Sequence, residues 1–204
     1  MKELYIIRHG ETELNRLGIV QGRGVNADLN DTGIAQAAAF FNKYNSVNFD
    51  KIYTSSLVRT HQTVKGFIDL GLPWKQLDGL DELAWGEWEG KSNTEEAREA
   101  FRAVVREWQL GNYDAKFGGG ESPNEVAARM AKAMDHIKKQ TNEKLILICM
   151  HGRAMRLLLC LLLDRPMSDM EEFPHSNTTL YRLQYDGEKF TLLDSNNISH
   201  LEQL

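Results

Sequence analysis

Three short apolar segments alternate along the chain with longer stretches of helical periodicity. Residues 4–7, 52–54 and 145–150 are almost continuously apolar, which is typical of strands buried on both faces of a parallel sheet. Apolar residues recur at helical spacing in residues 32–44, 57–68, 95–108, 125–139 and 153–163. This alternation of strand and helix predicts an α/β fold.

Local signals define one helix start and one end of the sheet. Ser122-Pro123-Asn124-Glu125 is a capping box with proline at the first helical position, so a helix should begin there. Residues 181–185 and 189–193 flank Asp186-Gly187-Glu188, which is a hairpin signal. We therefore predict a mostly parallel central sheet that ends in an antiparallel edge strand.

No repeat, low-complexity tract or proline-rich linker divides the chain, so we predict a single domain over residues 1–204. The middle of the chain differs in composition, because residues 85–120 hold three of the four tryptophans. One interpretation of Arg98, Arg102 and Arg106 is a solvated helix face paired with nearby glutamates. The alternative is a lid-like substrate segment at about 86–120 whose arginines meet an anionic substrate. The glycines at 118–120 are expected to form a hinge or turn.

Charge and apolar content exclude several classes of protein. Lys plus Arg number 24 against 29 for Asp plus Glu, a net charge of −5, so no global positive field favours a nucleic acid partner. The longest apolar run, residues 157–163, is far shorter than the roughly 20 residues of a membrane span. The N-terminus carries no signal-peptide pattern, and Cys149 and Cys160 lie in apolar stretches at no metal spacing. We expect two reduced, buried thiols and a cytoplasmic protein without a membrane partner.

The three predicted strands each end in chemically active residues. The first leads into Arg8-His9-Gly10, the second into Ser55-Ser56 with Arg59 following, and the third into His151-Gly152-Arg153. Reactive groups collect at the carboxyl ends of strands in open α/β sheets, so the two His-Gly pairs should face each other if their strands are neighbours. Arginine forks and helix N-termini suit a phosphoryl group. A neutral histidine there can act as a nucleophile.

The pattern leaves the choice of nucleophile open between His9 and His151. A single histidine at a strand end is more often a satisfied polar residue than a catalyst. The pairing of two His-Gly segments with flanking arginines is what favours a catalytic role. The remaining histidines are expected to be non-catalytic: His61, His136, His175 and His200. No compact metal-ligand spacing and no glycine-rich phosphate loop of the P-loop or dinucleotide type occurs, so we expect no metal and no cofactor.

A phosphohistidine mechanism also needs an acid to protonate the leaving oxygen. Glu82 is the best placed, because it precedes an aromatic run whose rings could desolvate it and favour its protonated form. The other candidates are Glu11, Asp81, Glu87 and Glu89.

These motifs together resemble the histidine phosphatase superfamily, which includes cofactor-dependent phosphoglycerate mutase and many small phosphatases. The matching segments follow the family's order along nearly the whole chain: RHGETELN at 8–15, QG at 21–22, LNDTGIAQA at 29–37, YTSSLVRTHQT at 53–63, DELAWGEWEG at 81–90, GESPNEVAAR at 120–129 and MHGRAMR at 150–156. The resemblance implies a three-layer α/β/α sandwich and a site that needs no metal.

The resemblance also implies roles for individual residues. His9 would be the nucleophile, and Arg8, Arg59 and His151 would bind the phosphoryl oxygens. Glu82 would be the proton donor. Asn15, Gln21 and Gly22 match positions that line the phosphate pocket.

Departures from the mutase pattern favour a phosphatase that acts on a small phosphorylated metabolite. Leu14 stands where mutases commonly have tryptophan, the run around Glu82 is similar to the phosphatase branch, and the chain contains no Arg-Arg dipeptide. A cofactor-dependent mutase stays the alternative, and a non-catalytic module that binds phosphorylated ligands is a second one. The substrate stays open among sugar phosphates, phosphoglycerates, nucleotide or cofactor-precursor monophosphates such as ribazole phosphate, and phosphoproteins, as does the oligomeric state.

Overall fold

A six-stranded mixed sheet forms the centre of the computed structural model, which describes residues 1–202 and 204. The strands are β1 (Lys2–Arg8), β2 (Lys51–Thr54), β3 (Trp74–Gln76), β4 (Leu145–Met150), β5 (Leu180–Tyr185) and β6 (Phe190–Asn197). Their order across the sheet is β3-β2-β4-β1-β5-β6. β3, β2, β4 and β1 are parallel to one another, whereas β5 and β6 run antiparallel at one edge. The predicted arrangement, mostly parallel with an antiparallel edge, is confirmed.

Helices cover both faces of this sheet. They are α1 (Glu13–Arg16), α2 (Asp31–Tyr44), α3 (Val58–Thr63), α4 (Lys65–Asp69), α5 (Glu95–Gln109), α6 (Pro123–Lys139) and α7 (Gly152–Leu162). Short 3-10 turns lie at Asp78–Leu80, Gly86–Trp88, Met167–Glu172 and Ser199–Leu201. The predicted capping box opens α6, since the Ser122 hydroxyl accepts from the backbone of Glu125 and the Glu125 carboxylate accepts from the backbone of Ser122.

Alternate residues of the central strands point to two separate apolar cores. On one face, Ile6 and Ile148 pack with residues of α6 and α7. On the other, Ile7 and Leu147 pack with Phe40 of α2 and the α3–α4 region. The near-continuous apolar strand sequences are explained by this burial on both faces, and the result is the three-layer α/β/α sandwich that the resemblance implied.

Two local predictions were incomplete. The helix expected over residues 57–68 is divided at Val64, whose backbone φ and ψ of −105° and 14° interrupt it. After the break, α4 lies so close to α2 that a Cβ on Gly66 would be 2.6 Å from the Phe41 ring. Strand β3 was not predicted, because its three residues are all exposed and carry no apolar run. It forms by backbone pairing with β2, a tertiary contact that periodicity does not encode.

Two remaining expectations concern burial and length. Cys149 and Cys160 are free and buried, as expected for thiols in apolar stretches. Within residues 1–202 and 204, no helix combines the length and apolar character needed to cross a membrane.

Candidate active site

The carboxyl ends of β1, β2 and β4 bring the two His-Gly pairs together. Arg8 lies opposite Met150 in the parallel register, so His9 and His151 leave adjacent strands at the same edge of the sheet. Their ring centroids are 5.2 Å apart. The expectation that the two pairs face each other is confirmed, because β4 lies between β1 and β2 in the sheet.

The hydrogen bonds of His9 determine which ring nitrogen is reactive. Its Nδ1 lies 2.7 Å from the carbonyl oxygen of Gly10, and a carbonyl can only accept, so Nδ1 carries the proton. Burial, with the charges of Arg59 and Arg8, lowers the pKa of His9 well below its usual range, although the Gly10 hydrogen bond opposes this. The imidazole is therefore neutral, and its Nε2 presents a lone pair.

Arg8 and Arg59 place two guanidinium groups beside this ring. Arg8 donates from Nη1 to the carbonyl of His175 at 2.5 Å, and Arg59 donates from Nη1 to the carbonyl of Val25 at 2.7 Å. The Nε atom of each is buried and has no hydrogen-bond partner among the described residues. Buried charges and donors are normally paired, so this arrangement suits a dianionic group bound between them.

Both arginines stay charged despite their burial. Burial lowers the pKa of each to about 10, and the Glu82 carboxylate acts in the opposite direction on both. At neutral pH the site therefore combines two guanidinium cations with neutral histidine rings.

His151 is completely buried at the first position before α7. Its Nε2 lies 2.7 Å from Ser55 Oγ, whereas its Nδ1 has no hydrogen-bond partner in the part of the chain that the structure describes. Burial, then the charges of Arg59 and other neighbours, lowers the pKa of His151 well below its usual range. One polar ring atom of a neutral imidazole is thus available to a bound group.

Glu82 is bound by the backbone that follows the His151-Gly152 pair, and its contacts differ from those that the sequence suggested. Its carboxylate accepts backbone hydrogen bonds from Leu83, Ala154 and Arg153 at 3.0, 2.8 and 3.1 Å. Two of these donors belong to the first turn of α7, where a negative charge is favourable. The carboxylate contacts are therefore with backbone N–H groups, whereas the sequence suggested desolvation by the neighbouring tryptophan rings. The Trp85 and Trp88 rings pack instead against Phe117.

Arg129 of α6 fixes the backbone that carries Glu82. Its guanidinium donates to the carbonyls of Gly79, Asp81 and Glu82 at 3.0, 2.9 and 2.9 Å, and to the Glu121 carboxylate at 2.9 Å. One side chain thus binds two carbonyls of the segment before the acid and the carbonyl of Glu82 itself. Sequence reasoning missed Arg129, although it ends the GESPNEVAAR segment.

Two of the other acid candidates are engaged in structural contacts. Asp81 accepts from the backbone and hydroxyl of Ser56, both at 2.8 Å, and from Arg23 Nε at 3.1 Å. Glu11 accepts from Asn30 at 2.8 Å. Among the candidates, Glu82 is the one whose carboxylate binds the backbone immediately after the His151-Gly152 pair.

Asn15 and Gln21 connect to the site through a hydrogen-bond network. The Asn15 side-chain oxygen accepts from Thr12 at 3.2 Å and from Asn177 at 3.3 Å. Asn177 also donates to the carbonyl of His9 at 3.1 Å. The Gln21 side chain lies within 2.8 Å of the Thr12 hydroxyl. Asn15 is thus linked to His9 through Asn177, and Gln21 is linked to Asn15 through Thr12.

Gly22 supports Arg59 and leaves space for residues 81–85, the loop that carries Glu82, here called the acid loop. Its carbonyl accepts from Arg59 Nη2 at 3.5 Å. A Cβ at this position would lie 2.7 Å from the carbonyl oxygen of Leu83, so a side chain here would displace the backbone beside Glu82. The structure therefore gives Gly22 a packing role at the edge of the site.

His175, which was expected to be non-catalytic, lies adjacent to the site. The segment before β5 returns to the end of β1, where the carbonyl of His175 accepts from Arg8. A Cβ on Gly152 would be 2.5 Å from the His175 ring. Burial, then Arg8, lowers the pKa of His175 to about 3. No spacing signal in the sequence pointed to this return of the chain.

The other three histidines contact groups elsewhere in the fold. His61 lies near Gln76, His136 near Lys75, and His200 near Thr178. Over the described residues, no group of three or more His, Cys, Asp or Glu side chains is arranged to hold a metal ion.

The segment comprising residues 86–120, here called the aromatic segment, packs beside the site. Gly118 has a φ of 59°, and a Cβ there would be 2.6 Å from the carbonyl oxygen of Trp85. The glycines thus form a tight turn against the acid loop. Arg98 and Arg102 both pair with Glu95 on the exposed face of α5, which agrees with the solvated interpretation for those two arginines.

Comparison with known proteins gives one consistent result. The family profile described as histidine phosphatase superfamily (branch 1) matches residues 4–198. The chain is 27% identical over 202 residues to phosphoserine phosphatase 1 of Hydrogenobacter thermophilus, covering 98% of this chain and 95% of the relative.

Solved structures agree with the sequence comparison. YhfR of Bacillus stearothermophilus is similar with a TM-score of 0.87 and 27% identity, covering 99% of this chain and 100% of that one. A phosphoserine phosphatase from Entamoeba histolytica, solved with 3-phosphoglyceric acid, is similar with a TM-score of 0.83 and 26% identity, covering 98% and 100%.

Proposed function

The chain belongs to the histidine phosphatase superfamily, branch 1, and we propose that it hydrolyses a small phosphomonoester through a phosphohistidine formed on His9. It is a phosphoric monoester hydrolase, as its family and its phosphatase relatives indicate. The observation that carries the mechanism is the neutral His9 ring, with Nδ1 bound to Gly10 and Nε2 free, beside two guanidinium groups with unused buried donors.

In the first chemical step, the Nε2 lone pair of His9 attacks phosphorus and the bond from phosphorus to the ester oxygen breaks. Arg8, Arg59 and His151 bind the three phosphoryl oxygens, whose charge is spread in the transition state. In the complex with the substrate Glu82 is protonated, and it transfers this proton to the departing oxygen, which leaves as an alcohol. The enzyme then carries a phosphoryl group on His9 and an ionised Glu82.

In the second step, Glu82 accepts a proton from water as the water oxygen attacks phosphorus. The nitrogen–phosphorus bond breaks, inorganic phosphate forms, and His9 and Glu82 return to their starting states. The sum is one phosphomonoester plus one water giving one alcohol plus one phosphate. No step in this scheme uses a metal ion or a diffusible cofactor.

We further propose that Asn15, Gln21 and Gly22 shape the phosphate pocket and that the aromatic segment forms its substrate side. The first part is supported by the network from Asn15 to His9 and by the Gly22 contact with Arg59. Arg153 supports the second part. Its backbone binds Glu82, and its guanidinium lies 5.2 Å from the centre of the Phe101 ring on α5.

The test is an assay of the purified protein with a metal chelator against a panel of metabolite phosphomonoesters. The panel includes phosphoserine and 3-phosphoglycerate, the latter also with 2,3-bisphosphoglycerate, and both free phosphate and isomerised product are quantified. We expect phosphate release from one or a few members. Isomerisation with little release would identify a mutase instead, and activity lost with the chelator and restored by a metal would contradict the scheme.

A second measurement addresses the intermediate. Rapid mixing with labelled substrate and alkaline quenching should trap a phosphoryl group on His9, since phosphohistidine is stable in alkali. The His9→Ala variant should carry no label and have almost no turnover. A label on another residue, or wild-type turnover in this variant, would overturn the assignment of the nucleophile.

A further inference from the structure

The ring of His151 can exist in two neutral forms, and they differ in what the site offers a bound group. Its Nε2 is 2.7 Å from Ser55 Oγ, and its buried Nδ1 has no partner within the described part of the chain. If Nδ1 carries the hydrogen, it can donate to a phosphoryl oxygen. If Nε2 carries it, Nδ1 presents a lone pair to the same oxygen, which is repulsive.

The partners of the Ser55 hydroxyl decide between these forms. Ser55 Oγ accepts the backbone N–H of Leu57 at 3.1 Å. Thr60 Oγ1 is also 3.1 Å away, but the Thr60 hydroxyl gives its own hydrogen to the carbonyl of Leu57 at 2.8 Å. The Ser55 hydrogen therefore has two acceptors to choose from, Thr60 Oγ1 and His151 Nε2, and the imidazole nitrogen is nearer by several tenths of an ångström.

We propose that Ser55 is a positioning residue that holds His151 in the Nδ1–H form by donating its hydroxyl hydrogen to Nε2. The Nδ1–H group is then a preset donor for a phosphoryl oxygen. This inference rests on the proposed function for its catalytic meaning, but the hydrogen-bond assignment itself concerns the resting protein.

The sheet fixes the Ser55 hydroxyl as firmly as it fixes the two histidines. Ser55 is fully buried directly after β2, and its backbone N–H donates to the carbonyl of Cys149 on β4 at 3.2 Å. Its carbonyl accepts from the Thr54 hydroxyl at 2.9 Å. Because β2 and β4 are adjacent parallel strands, Ser55 and His151 leave the same edge side by side. A hydroxyl held in this way can select one ring form without a change in conformation.

The decisive experiment reads the ring directly. Long-range proton–nitrogen correlation spectra of protein labelled with ¹⁵N-histidine distinguish the two neutral forms, and His151→Gln identifies the signals by their loss. In the wild-type resting protein, we expect His151 to be in the Nδ1–H form. A wild-type spectrum of the Nε2–H form would overturn the proposal without reference to any variant.

Two neighbouring serines provide the matched comparison. In Ser55→Ala, Nε2 loses its donor, and we expect His151 to shift to a mixture of forms or to Nε2–H. In Ser56→Ala, the lost hydroxyl binds Asp81 rather than His151, so the Nδ1–H form should persist. An unchanged His151 spectrum in folded Ser55→Ala would refute the role of Ser55.

Inhibition by orthovanadate, which mimics the pentavalent transition state, links the ring form to the chemistry. We expect Ser55→Ala to weaken vanadate inhibition about tenfold and to lower kcat with little change in KM, because a donor to the transition state is lost. If the ring signals behave as expected but no phosphoryl group is trapped on His9, the proposed function fails while the Ser55 assignment stands. If vanadate inhibition is unchanged although the ring form changes, the Ser55–His151 hydrogen bond does not contribute to transition-state binding, and that part of the inference is wrong.

Discussion

The candidate active site, at the carboxyl ends of β1, β2 and β4, and the aromatic segment hold their side chains in place in different ways. His9, Arg59 and His151 are 4%, 0% and 0% exposed; the two histidines directly follow β1 and β4, and Arg59 lies in α3 after β2. On α5 of the aromatic segment, the Arg98 and Arg102 side chains are 49% and 56% exposed and pair on the surface. The sheet thus determines the reactive geometry, whereas the segment is attached through ring packing.

Under the proposed function, we expect this difference to separate chemistry from substrate selection. Backbone hydrogen bonds at strand ends tolerate almost no displacement, and transition-state binding requires such rigidity. The rings of Trp85, Phe101 and Phe117 pack edge to face, an arrangement that can change in shape while staying apolar. We therefore expect changes at strand ends to alter the rate and changes in the aromatic segment to alter which substrate is accepted.

The largest expected effect is that of Arg59→Met. The substitution keeps the aliphatic stem but removes a buried guanidinium that binds the Val25 carbonyl and leaves its Nε free. We expect kcat/KM to fall about 10³-fold, the scale of losing a transition-state donor, for every active substrate in the panel. A loss confined to a single substrate would show that Arg59 selects substrates instead, and thermal unfolding would control for damage to the fold.

Trp108→Ala tests the opposite region. Trp108 is 1% exposed and donates from Nε1 to the carbonyl of Ala115 at 2.9 Å. We expect the free energy of unfolding, measured with denaturant, to fall by about 3 kcal/mol. In the fraction that stays folded, KM should rise more than kcat falls. Trp74→Ala at the exposed strand β3 is the matched control and should cost much less stability. If kcat/KM fell as far as in Arg59→Met, and the fall came from kcat rather than from KM, the division between the two regions would be wrong.

Arg129→Lys should produce a smaller and more selective loss. Lysine keeps the charge but not the planar fork that binds the carbonyls of Gly79, Asp81 and Glu82. We expect kcat to fall about tenfold for alkyl phosphates, whose leaving oxygen needs a proton, and less for p-nitrophenyl phosphate. Lys132→Met, on the exposed face of the same helix, is the control. Equal losses with both leaving groups would exclude a role for Arg129 in positioning the acid.

The buried histidines predict an acid-sensitive fold. Burial lowers the folded-state pKa of His9, His151 and His175 below the unfolded value near 6.5, so the unfolded chain binds more protons below that pH. Stability should be fully present above about pH 6.5 and fall as the pH drops, at most by about 1.4 kcal/mol per pH unit for each histidine. Denaturant unfolding between pH 7 and 5 measures this slope. His9→Ala should reduce the slope, and an unchanged slope would contradict the assignment of a neutral ring.

The smallest expected effect belongs to the surface of α5. Arg98→Ala removes an exposed pair with Glu95, and water screens such surface pairs so that they contribute little. We expect kcat/KM for the preferred substrate to change less than twofold. A tenfold loss would instead support the interpretation in which the arginine row binds an anionic substrate, and α5 would then be part of the binding site.

The sequence predicted the parts of the fold that periodicity encodes. The apolar runs located β1, β2 and β4, and the strand-end rule predicted that His9 and His151 face each other if their strands are neighbours. It failed where contacts between distant segments decide the outcome. β3 has no apolar run, the break at Val64 lies within a helical pattern, and the acid loop is stabilised by a guanidinium from α6.

Residue types and their spacing by themselves determined the α/β class and the candidate residues, and the resemblance of the motifs identified the family, because burial on both faces of a sheet and phosphate-binding groups leave direct marks on sequence. The tertiary structure alone decided which atom of each group is available. The Gly10 carbonyl selects Nε2 of His9, α7 supplies two of the three backbone donors to Glu82, and Ser55 lies against His151. Hydrogen-bond direction and desolvation depend on distances of a few ångströms between segments far apart in the chain, and no local pattern records them.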